Sequence, residues 1–510
     1  MGAPKRTQKA RRRSLVDAWP VFGIAVAIAA LPAAAVARKH GAQQGPPAQK
    51  AVILDLIALD NRGEPVTDLL ASDLQISDNG KRQEVVFFRP NHGKNRIAGP
   101  HEFSNRAHPS QPATVILFDL MNERTMTDAI TRNELVHALE GQETGEGLYL
   151  YILTNRGNFI PIHPLPEPEA EAEAAENWTQ RIRPLLDPVL SKIFSLRPIE
   201  DWDPGYRFQT TLQAISMLGG QMADVPGRKN LVWVTHGVPS MVPDLSGQPV
   251  DLSPQLHRFG TSLERAHIAV YAVDQSTKGA GADMTSLSTQ TLQDVSQLTG
   301  GRNYVSDSVE VAINEARRDS RVFYTVGYFA PAPPENGKFH KIRVSSGRRG
   351  LHLNAERGYY AYADASSGEQ EQATLTTAAQ SPFDSPDIGL LAKVADPSHP
   401  MHLEVQIASE DLVFRQLGDE FEDSLVLLIF ESNSEAPART DGFATRPQAP
   451  MAVPIHLSMT PEQREAAIRE GTGITRDIAL ASTTHQVRLV VLDQNSGRYG
   501  SLRVPIGTQH

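Results

Sequence analysis

The residue types that carry out most protein chemistry are present in this chain, but not at the spacings that known catalytic sites need. The chain has no cysteine, which excludes thiol nucleophiles, disulfides and zinc–thiolate sites. It also lacks a Gly-x-Ser-x-Gly elbow, a His-Glu-x-x-His helix, a phosphate-binding Gly-x-x-x-x-Gly-Lys-Ser/Thr loop and a dinucleotide glycine fingerprint. Histidines such as His137, His163, His257 and His267 are scattered without the spacing of metal ligands. These observations predict a protein that is not an enzyme.

Charge and its distribution exclude one class of partner. The formal net charge of the 510 residues is −10. The first 37 residues hold six Lys and Arg against Asp17, a charge of +5, so the remainder carries −15. An acidic body of this kind has no electrostatic attraction to phosphate, and a nucleic-acid partner is not expected.

The N-terminus has the three parts of an export signal. A basic stretch precedes the apolar run Trp19–Val36, and Ala35-Val36-Ala37 has the small-x-small form of a cleavage site. We therefore predict a signal peptide over residues 1–37 and a periplasmic, envelope-associated or extracellular location. Arg12-Arg13 leaves both the general and the twin-arginine route open. If the run stays uncleaved, it would be a membrane anchor, the chain's one expected contact with a membrane.

The elements that would position functional side chains alternate between strand and helix over residues 111–330. Short, nearly continuous apolar runs indicate strands that are covered on both faces, and this alternation predicts a doubly wound, mainly parallel α/β sheet. The predicted strands are Thr114–Phe118, Leu148–Leu153, Leu231–Thr235, Ile268–Val273 and Val322–Tyr328. The predicted helices are Thr127–Leu139, Thr211–Met222, Pro254–Ala266, Thr291–Leu298 and Val309–Arg318.

Composition divides the rest of the chain into flanking units. An acidic, proline-containing segment at 161–206 interrupts the α/β region and is interpreted as a solvated insertion. Asp78-Asn79-Gly80-Lys81 predicts a tight hairpin within the first β unit. The predicted units are a linker at 38–50, an N-terminal β unit at 51–90, a β extension at 331–363, a polar linker at 364–380, and a C-terminal β-rich domain at 381–510 that forms a small sandwich and contains one helix at Pro461–Glu470.

Several short segments, taken in order, resemble a known family. They are Asp60–Leu69, Asp73–Gly80, Val115–Asp119 with Asn122, Pro226–Val234, Tyr271–Asp274, Leu298–Gly301, Tyr324–Tyr328, Leu457–Glu462 and Ser496–Ser501. On these residues the chain resembles a bacterial family of von Willebrand factor A (vWA)-related proteins that is best known from Acidobacteria. The resemblance covers the chain beyond the export signal and implies a vWA-like fold for residues 111–330.

The resemblance also implies where a metal-ion-dependent adhesion site would lie. In vWA modules an Asp-x-Ser-x-Ser loop, a Thr from a second loop and an Asp from a third hold a divalent ion. Asp119 keeps the first position, Met121 and Glu123 replace the two serines, Thr210 matches the Thr, and His236 replaces the last Asp. The sequence favours a degenerate site, in which Asp119 and Asn122 satisfy the loop or the next helix. The alternative is an altered site in which Asp119, Glu123, Thr210 and His236 hold Zn²⁺ or Mn²⁺.

Fold resemblance and export together imply a non-enzymatic binding protein with no cofactor beyond a possible divalent metal. Its expected partner is a protein or another envelope macromolecule, held by the loops Asp119–Thr125, Gln209–Thr211 and Thr235–Ser240. The expected binding residues are Asp119, Asn122, Glu123, Thr210, Thr211 and His236. Two alternatives remain open: a self-assembling structural component of the envelope, and a hydrolase of envelope polymers.

Overall fold

A computed structural model describes residues 50–506, except for 92–98, 100, 108–111, 123–127, 143–146, 166–177, 196–202, 224, 226, 239, 245, 276–281, 306–307, 331–336, 362–366, 382, 397–400, 433–449, 479 and 481–483. The predicted signal peptide and all of the predicted linker before Lys50 lie outside the described residues. Among the residues that are described, no helix combines the length and apolar character needed to span a bilayer.

Strands outnumber helices in the part of the chain that the structure describes. The first strands are β1 (Ala51–Leu59), β2 (Leu74–Asp78), β3 (Lys81–Gln83), β4 (Phe87–Pro90) and β5 (Glu102–Ser104). Next come β6 (Thr114–Asp119), β7 (Leu148–Leu153), β8 (Phe159–His163), β9 (Lys229–Thr235), β10 (Met241–Pro243), β11 (Pro249–Asp251), β12 (Ile268–Asp274), β13 (Arg302–Val305) and β14 (Tyr324–Phe329). The last are β15 (Phe339–Ser346), β16 (His352–Asn354), β17 (Gly358–Tyr360), β18 (Leu390–Asp396), β19 (Met401–Ile407), β20 (Arg415–Leu417), β21 (Glu420–Ser432), β22 (Met451–Met459), β23 (Thr472–Ile478), β24 (Gln486–Asp493) and β25 (Tyr499–Pro505). The helices are α1 (Asp128–Glu140), α2 (Trp178–Ser195), α3 (Pro204–Ala223), α4 (Ser253–Arg265), α5 (Ala282–Leu298), α6 (Val309–Arg321), α7 (Ser367–Gln380) and α8 (Pro461–Glu470).

A six-stranded sheet in the order β13-β12-β9-β6-β7-β8 forms the centre of the chain. Its strands run parallel except for β8, which pairs antiparallel with β7 at one edge. Residues of α1, α2 and α6 pack on one face of the sheet, and residues of α3, α4 and α5 pack on the other. Because both faces are covered, the strands β6, β7 and β12 are apolar at almost every position. The predicted doubly wound, mainly parallel α/β fold is confirmed.

The last strand predicted for this sheet belongs to a different one. Strand β14 pairs antiparallel with β1 and β4, and the order of that sheet is β16-β1-β14-β4. The short strand β13 takes the edge of the parallel sheet instead. An apolar run fixes that a segment is a strand but not which strand it pairs with. Here the partner, β1, is more than 250 residues earlier in the chain.

The predicted N-terminal β unit and β extension are interleaved and do not form separate bodies. Strand β1 pairs with β16, and β2 pairs with β15. The hairpin between β2 and β3 is confirmed, with Asn79 at φ 47° and Gly80 at φ 80°. Both values lie in the left-handed region that a two-residue hairpin turn needs. Buried Arg228 of the α/β unit reaches this layer and donates to Asp55 Oδ2 at 3.2 Å.

Two segments whose polar composition indicates an insertion and a linker form helices with buried faces. Within the insertion, α2 buries Ile182, Leu186 and Leu190 in the core beside α1. Where a polar linker is expected, α7 packs against β24 and buries Ala378. In both cases a few apolar residues at helical spacing are enough to dock a segment whose average composition is polar.

The C-terminal region contains two antiparallel sheets that share one core. Their orders are β23-β19-β18-β5 and β20-β21-β24-β25, with β22 also paired to β21. Side chains from both sheets form a single buried cluster, as in the predicted sandwich. Helix α8 has the predicted bounds, with Thr460 and Gln463 in a capping box. Strand β5 lies before the α/β unit in the chain yet joins this sandwich.

Candidate functional site

The candidate site lies where strands β6, β9 and β12 end. Their carboxyl ends meet at one edge of the sheet, the edge at which doubly wound proteins bind ligands. Asp119 is the last residue of β6 and pairs in register with Thr235 of β9, which in turn pairs with Asp274 of β12. We call this edge, with the loops that follow the strands and the start of α3, the top face.

Asp119 is buried and accepts a hydrogen bond from each of four groups. Its Oδ1 accepts from the backbone N–H of Met121 at 3.0 Å. Its Oδ2 accepts from Asn122 Nδ2 at 2.8 Å, Thr235 Oγ1 at 2.9 Å and Trp233 Nε1 at 3.3 Å. Burial raises the pKa of the Asp119 carboxyl, and the hydrogen bonds from Asn122, Thr235 and Trp233 oppose that rise.

The side-chain amide of Asn122 connects Asp119 to helix α3. Besides its bond to Asp119, Nδ2 donates to Thr211 Oγ1 at 2.9 Å. A divalent ion in a vWA-type site would have to bind this carboxylate and a threonine hydroxyl directly, at about 2.1 Å for Mg²⁺. The amide nitrogen already lies between the two oxygens and supplies the hydrogen bonds that they need. These residues, as arranged, do not fit an ion bound to Asp119 and Thr211.

The predicted site residues divide into buried and accessible ones. Asp119, Asn122 and Thr211 are buried, and their part in a binding face stays a prediction. Thr210 and His236 are half-buried, on α3 and in the loop after β9. The hydroxyl that joins the Asp119 network belongs to Thr211, one position after the expected Thr210. Glu123 lies outside the described residues.

Two members of the network are not among the individually predicted binding residues: Trp233, and Thr235, which is only the first residue of the predicted loop Thr235–Ser240. Residues 115, 117 and 119 of β6 share a face of the sheet with residues 231, 233 and 235 of β9, since side chains alternate along a strand. That face packs against α3, which carries Thr211. The signal in the sequence is that two neighbouring parallel strands, β6 and β9, both end in a polar residue. Aligning their ends would have paired Asp119 with Thr235. Among the described residues, no group of three or more His, Cys, Asp and Glu side chains is placed to hold a metal.

Apolar side chains lie exposed beside this buried network. Strands β10 and β11 form a two-stranded ribbon between β9 and α4. The ribbon packs against α3 through buried Val242. Its Cγ2 lies so close to Gly205 of α3 that a Cβ added to this glycine would be 3.9 Å away. Tyr206 on α3 is 44% exposed, and on the ribbon Met241 is 41% and Val250 38% exposed. We call these three exposed side chains, one at the start of α3 and two on the ribbon that packs against α3, the apolar patch.

Comparisons with known proteins give distant similarities of structure only. No family model matches the chain, and no curated protein matches it in sequence. The manganese-loaded TRAP protein of Plasmodium vivax is similar at 12% identity and a TM-score of 0.25, over 52% of this chain and 96% of that one. The open conformation of the pilus adhesin SpaC from Lactobacillus rhamnosus GG is similar at 10% identity and a TM-score of 0.28, over 84% of this chain. The chain spans 56% of that adhesin's length. At these values neither protein transfers a function.

Proposed function

We propose that this chain is a non-enzymatic binding protein that holds a protein or another envelope macromolecule on its top face, without a metal ion. The observation that carries the proposal is the exposure of Tyr206 at the start of α3 and of Met241 and Val250 on the ribbon that packs against α3. We take these three side chains to form one surface. Soluble proteins seldom expose grouped apolar side chains without a partner for them. Tyrosine and methionine are also enriched at the centres of protein interfaces.

The buried network gives this surface a rigid support. Asn122 ties the end of β6 to α3, and α3 carries both Thr210 and Tyr206. Because every hydrogen bond in that link is made by the protein itself, the face needs no ion to take its shape. Metal independence is therefore part of the proposal, and the altered Zn²⁺ or Mn²⁺ site is not favoured.

The experiment compares two double variants of the full chain that remove similar amounts of exposed apolar surface. Tyr206→Ser with Met241→Ser alters the patch. Met217→Ser with Leu417→Ser is the matched control, because these side chains are 48% and 52% exposed but lie elsewhere. Met217 is on the same helix as Tyr206, eleven residues or about 16 Å further along.

Binding to an envelope fraction from the producing cells is measured by co-sedimentation. We expect the patch variant to lose at least nine-tenths of the bound protein at a fixed concentration, and the control to bind as wild type. Equal binding by both variants would remove the patch from the proposal. If the wild-type chain does not bind, the proposed function is wrong, and growth of its particle mass with concentration would then favour a self-assembling structural component.

A further inference from the structure

A cleft lies at the β13 end of the parallel sheet, and it shares no lining residue with the apolar patch. It has a volume of about 720 Å³ and lies between strand β13, helix α5, strand β16 and the turn that follows β1. Two features define it, an unpaired strand edge and a lining made mainly of polar side chains.

Strand β13 is the last strand at its end of the parallel sheet, as far as the chain is described. One side of β13 bonds to β12, so the backbone N–H and C=O groups on its other side point toward the cleft. Such an edge pairs readily with a further extended chain, whose main chain then supplies the hydrogen bonds. Val305, at the end of β13, is 41% exposed and offers an apolar contact to that chain.

Two buried polar atoms in the cleft have no hydrogen-bond partner among the described residues. They are Ser296 Oγ, on a side chain that is only 1% exposed, and Asn303 Oδ1. Buried polar atoms are almost always paired, since leaving one unpaired costs about 1–3 kcal/mol. Both residues line the cleft, beside the amide side chains of Gln293 and Gln297. A ligand rich in amide groups could pair with all of these atoms.

The exposed guanidinium of Arg357 is the lining group that favours an acidic ligand. Arg302, His352 and Arg357 line the cleft, and Asp60 is the single carboxylate among its described lining residues. Asp60 Oδ1 already accepts from the backbone N–H groups of Arg62 and Glu64, at 2.8 and 2.9 Å. Arg302 is held by Glu315 and Asp319, whereas the side chain of Arg357 is exposed.

We propose that this cleft binds an acidic peptide segment in extended conformation, which adds to the edge of β13 as a further strand. The unpaired edge and the amide lining match the repeating N–H and C=O groups of a peptide backbone. Arg357 matches a carboxylate on one of the peptide's side chains. No described lining residue is Phe, Tyr or Trp, the side chains on which sugars most often stack. The site is separate from the apolar patch and does not depend on the proposed function.

The test measures peptide binding to the full chain by fluorescence anisotropy. The probe is a fluorescein-labelled heptapeptide of alternating glutamate and valine. A second peptide has lysine in place of glutamate, and a third has the first sequence with N-methyl groups on alternate amides. Arg357→Glu is compared with Arg343→Glu, which makes the same charge change at an exposed arginine of β15 outside the cleft.

We expect the acidic peptide to bind, and both the lysine and the N-methylated peptides to bind at least tenfold more weakly. Arg357→Glu should weaken the acidic peptide at least tenfold and Arg343→Glu less than twofold. Binding should also slow amide hydrogen exchange at residues 302–305. Equal affinity for the N-methylated peptide would overturn strand addition. Equal loss in both arginine variants, or no binding of the acidic peptide, would overturn the cleft as its site.

Discussion

Replacing Asn122 by Asp would change the top face from a site held by an amide into one that can hold a metal ion. The substitution keeps the size of the side chain but exchanges the donor Nδ2 for an oxygen. Asp119, the new carboxylate and the hydroxyls of Thr211 and Thr235 would then form an all-oxygen set, the chemistry that Mg²⁺ and Mn²⁺ prefer. We therefore expect Asn122→Asp to make the stability of the chain depend on a divalent ion.

The magnitude follows from the two hydrogen bonds that are lost. The bond to the carboxylate of Asp119 contributes about 1.5–3 kcal/mol, and the bond to the Thr211 hydroxyl about 1 kcal/mol. Two carboxylates side by side in a buried site also repel each other. Without an ion the variant should lose about 2–4 kcal/mol, on the order of 10 °C in the melting temperature of a domain of this size.

The assay is a melting curve of the full chain in EDTA and then in Mg²⁺ or Mn²⁺. An ion that binds the folded state alone, at a hundred times its Kd, restores about 2.7 kcal/mol. Asn122→Asp should therefore regain much of its loss, while wild type should not shift. Asn122→Leu is the matched control, since it loses the same two bonds but supplies no oxygen. It should melt early with or without the ion.

Either of two results would contradict this account of the top face. If the wild-type chain melts higher with Mg²⁺, Mn²⁺ or Zn²⁺, and Asp119→Ala abolishes that shift, an altered metal site is present and Asn122 does not take the place of the ion. An Asn122→Asp variant that does not respond to any ion would also show that the four oxygens cannot converge.

Three further predictions concern the rest of the molecule. Asp411→Asn should lower the free energy of unfolding by about 3–5 kcal/mol in denaturant unfolding. The reason is that buried Asp411 accepts from Arg89 at 2.9 Å and from Arg106 at 2.7 Å, at the junction between β4, β5 and the sandwich. The exposed pair of Asp68 and Arg348 provides the control, since Asp68→Asn should cause no measurable change. Burial and the nearby Asp55 carboxylate raise the pKa of Glu356 to about 8. The folded state therefore holds a proton that the unfolded state releases near pH 4.5, so the free energy of unfolding should fall as pH rises from about 5 to 8. Glu356→Gln should make the free energy of unfolding less dependent on pH between about 5 and 8. An unchanged pH dependence would show that Glu356 is not the group responsible. Light scattering of the full chain should give a mass that does not change with concentration, and a mass that grows would favour self-assembly.

Those parts of the fold that depend on local pattern could be predicted from the sequence. The continuous apolar runs Thr114–Phe118 and Ile268–Val273 identify strands covered on both faces, and Asn79-Gly80 identifies a hairpin turn. The capping residue Thr460, followed by proline, marks the start of α8. In each case the physical cause lies within a few neighbouring residues.

Features that depend on distant residues could not be predicted. The run at Val322–Tyr328 is apolar enough for either sheet, and its choice of β1 over the parallel sheet follows from long-range pairing. Likewise, the sequence of α7 has the polar composition of a linker, and its helix is docked by packing against β24, which lies more than 100 residues later in the chain. At the site, Asp119 could be identified because the resemblance to vWA modules implies an aspartate directly after the first strand. The roles of Thr211, Trp233 and Thr235 depend on strand register and on the rotation of α3, which no local pattern fixes.

The most direct test of metal-independent binding at the top face is the co-sedimentation of the wild-type chain with the envelope fraction in EDTA. We expect the same bound amount in EDTA as in Mg²⁺ or Mn²⁺, with binding lost in the Tyr206→Ser, Met241→Ser variant under all three conditions. Binding that disappears in EDTA and returns with the ion would contradict the account, because the partner would then be held through a metal and not through the apolar patch.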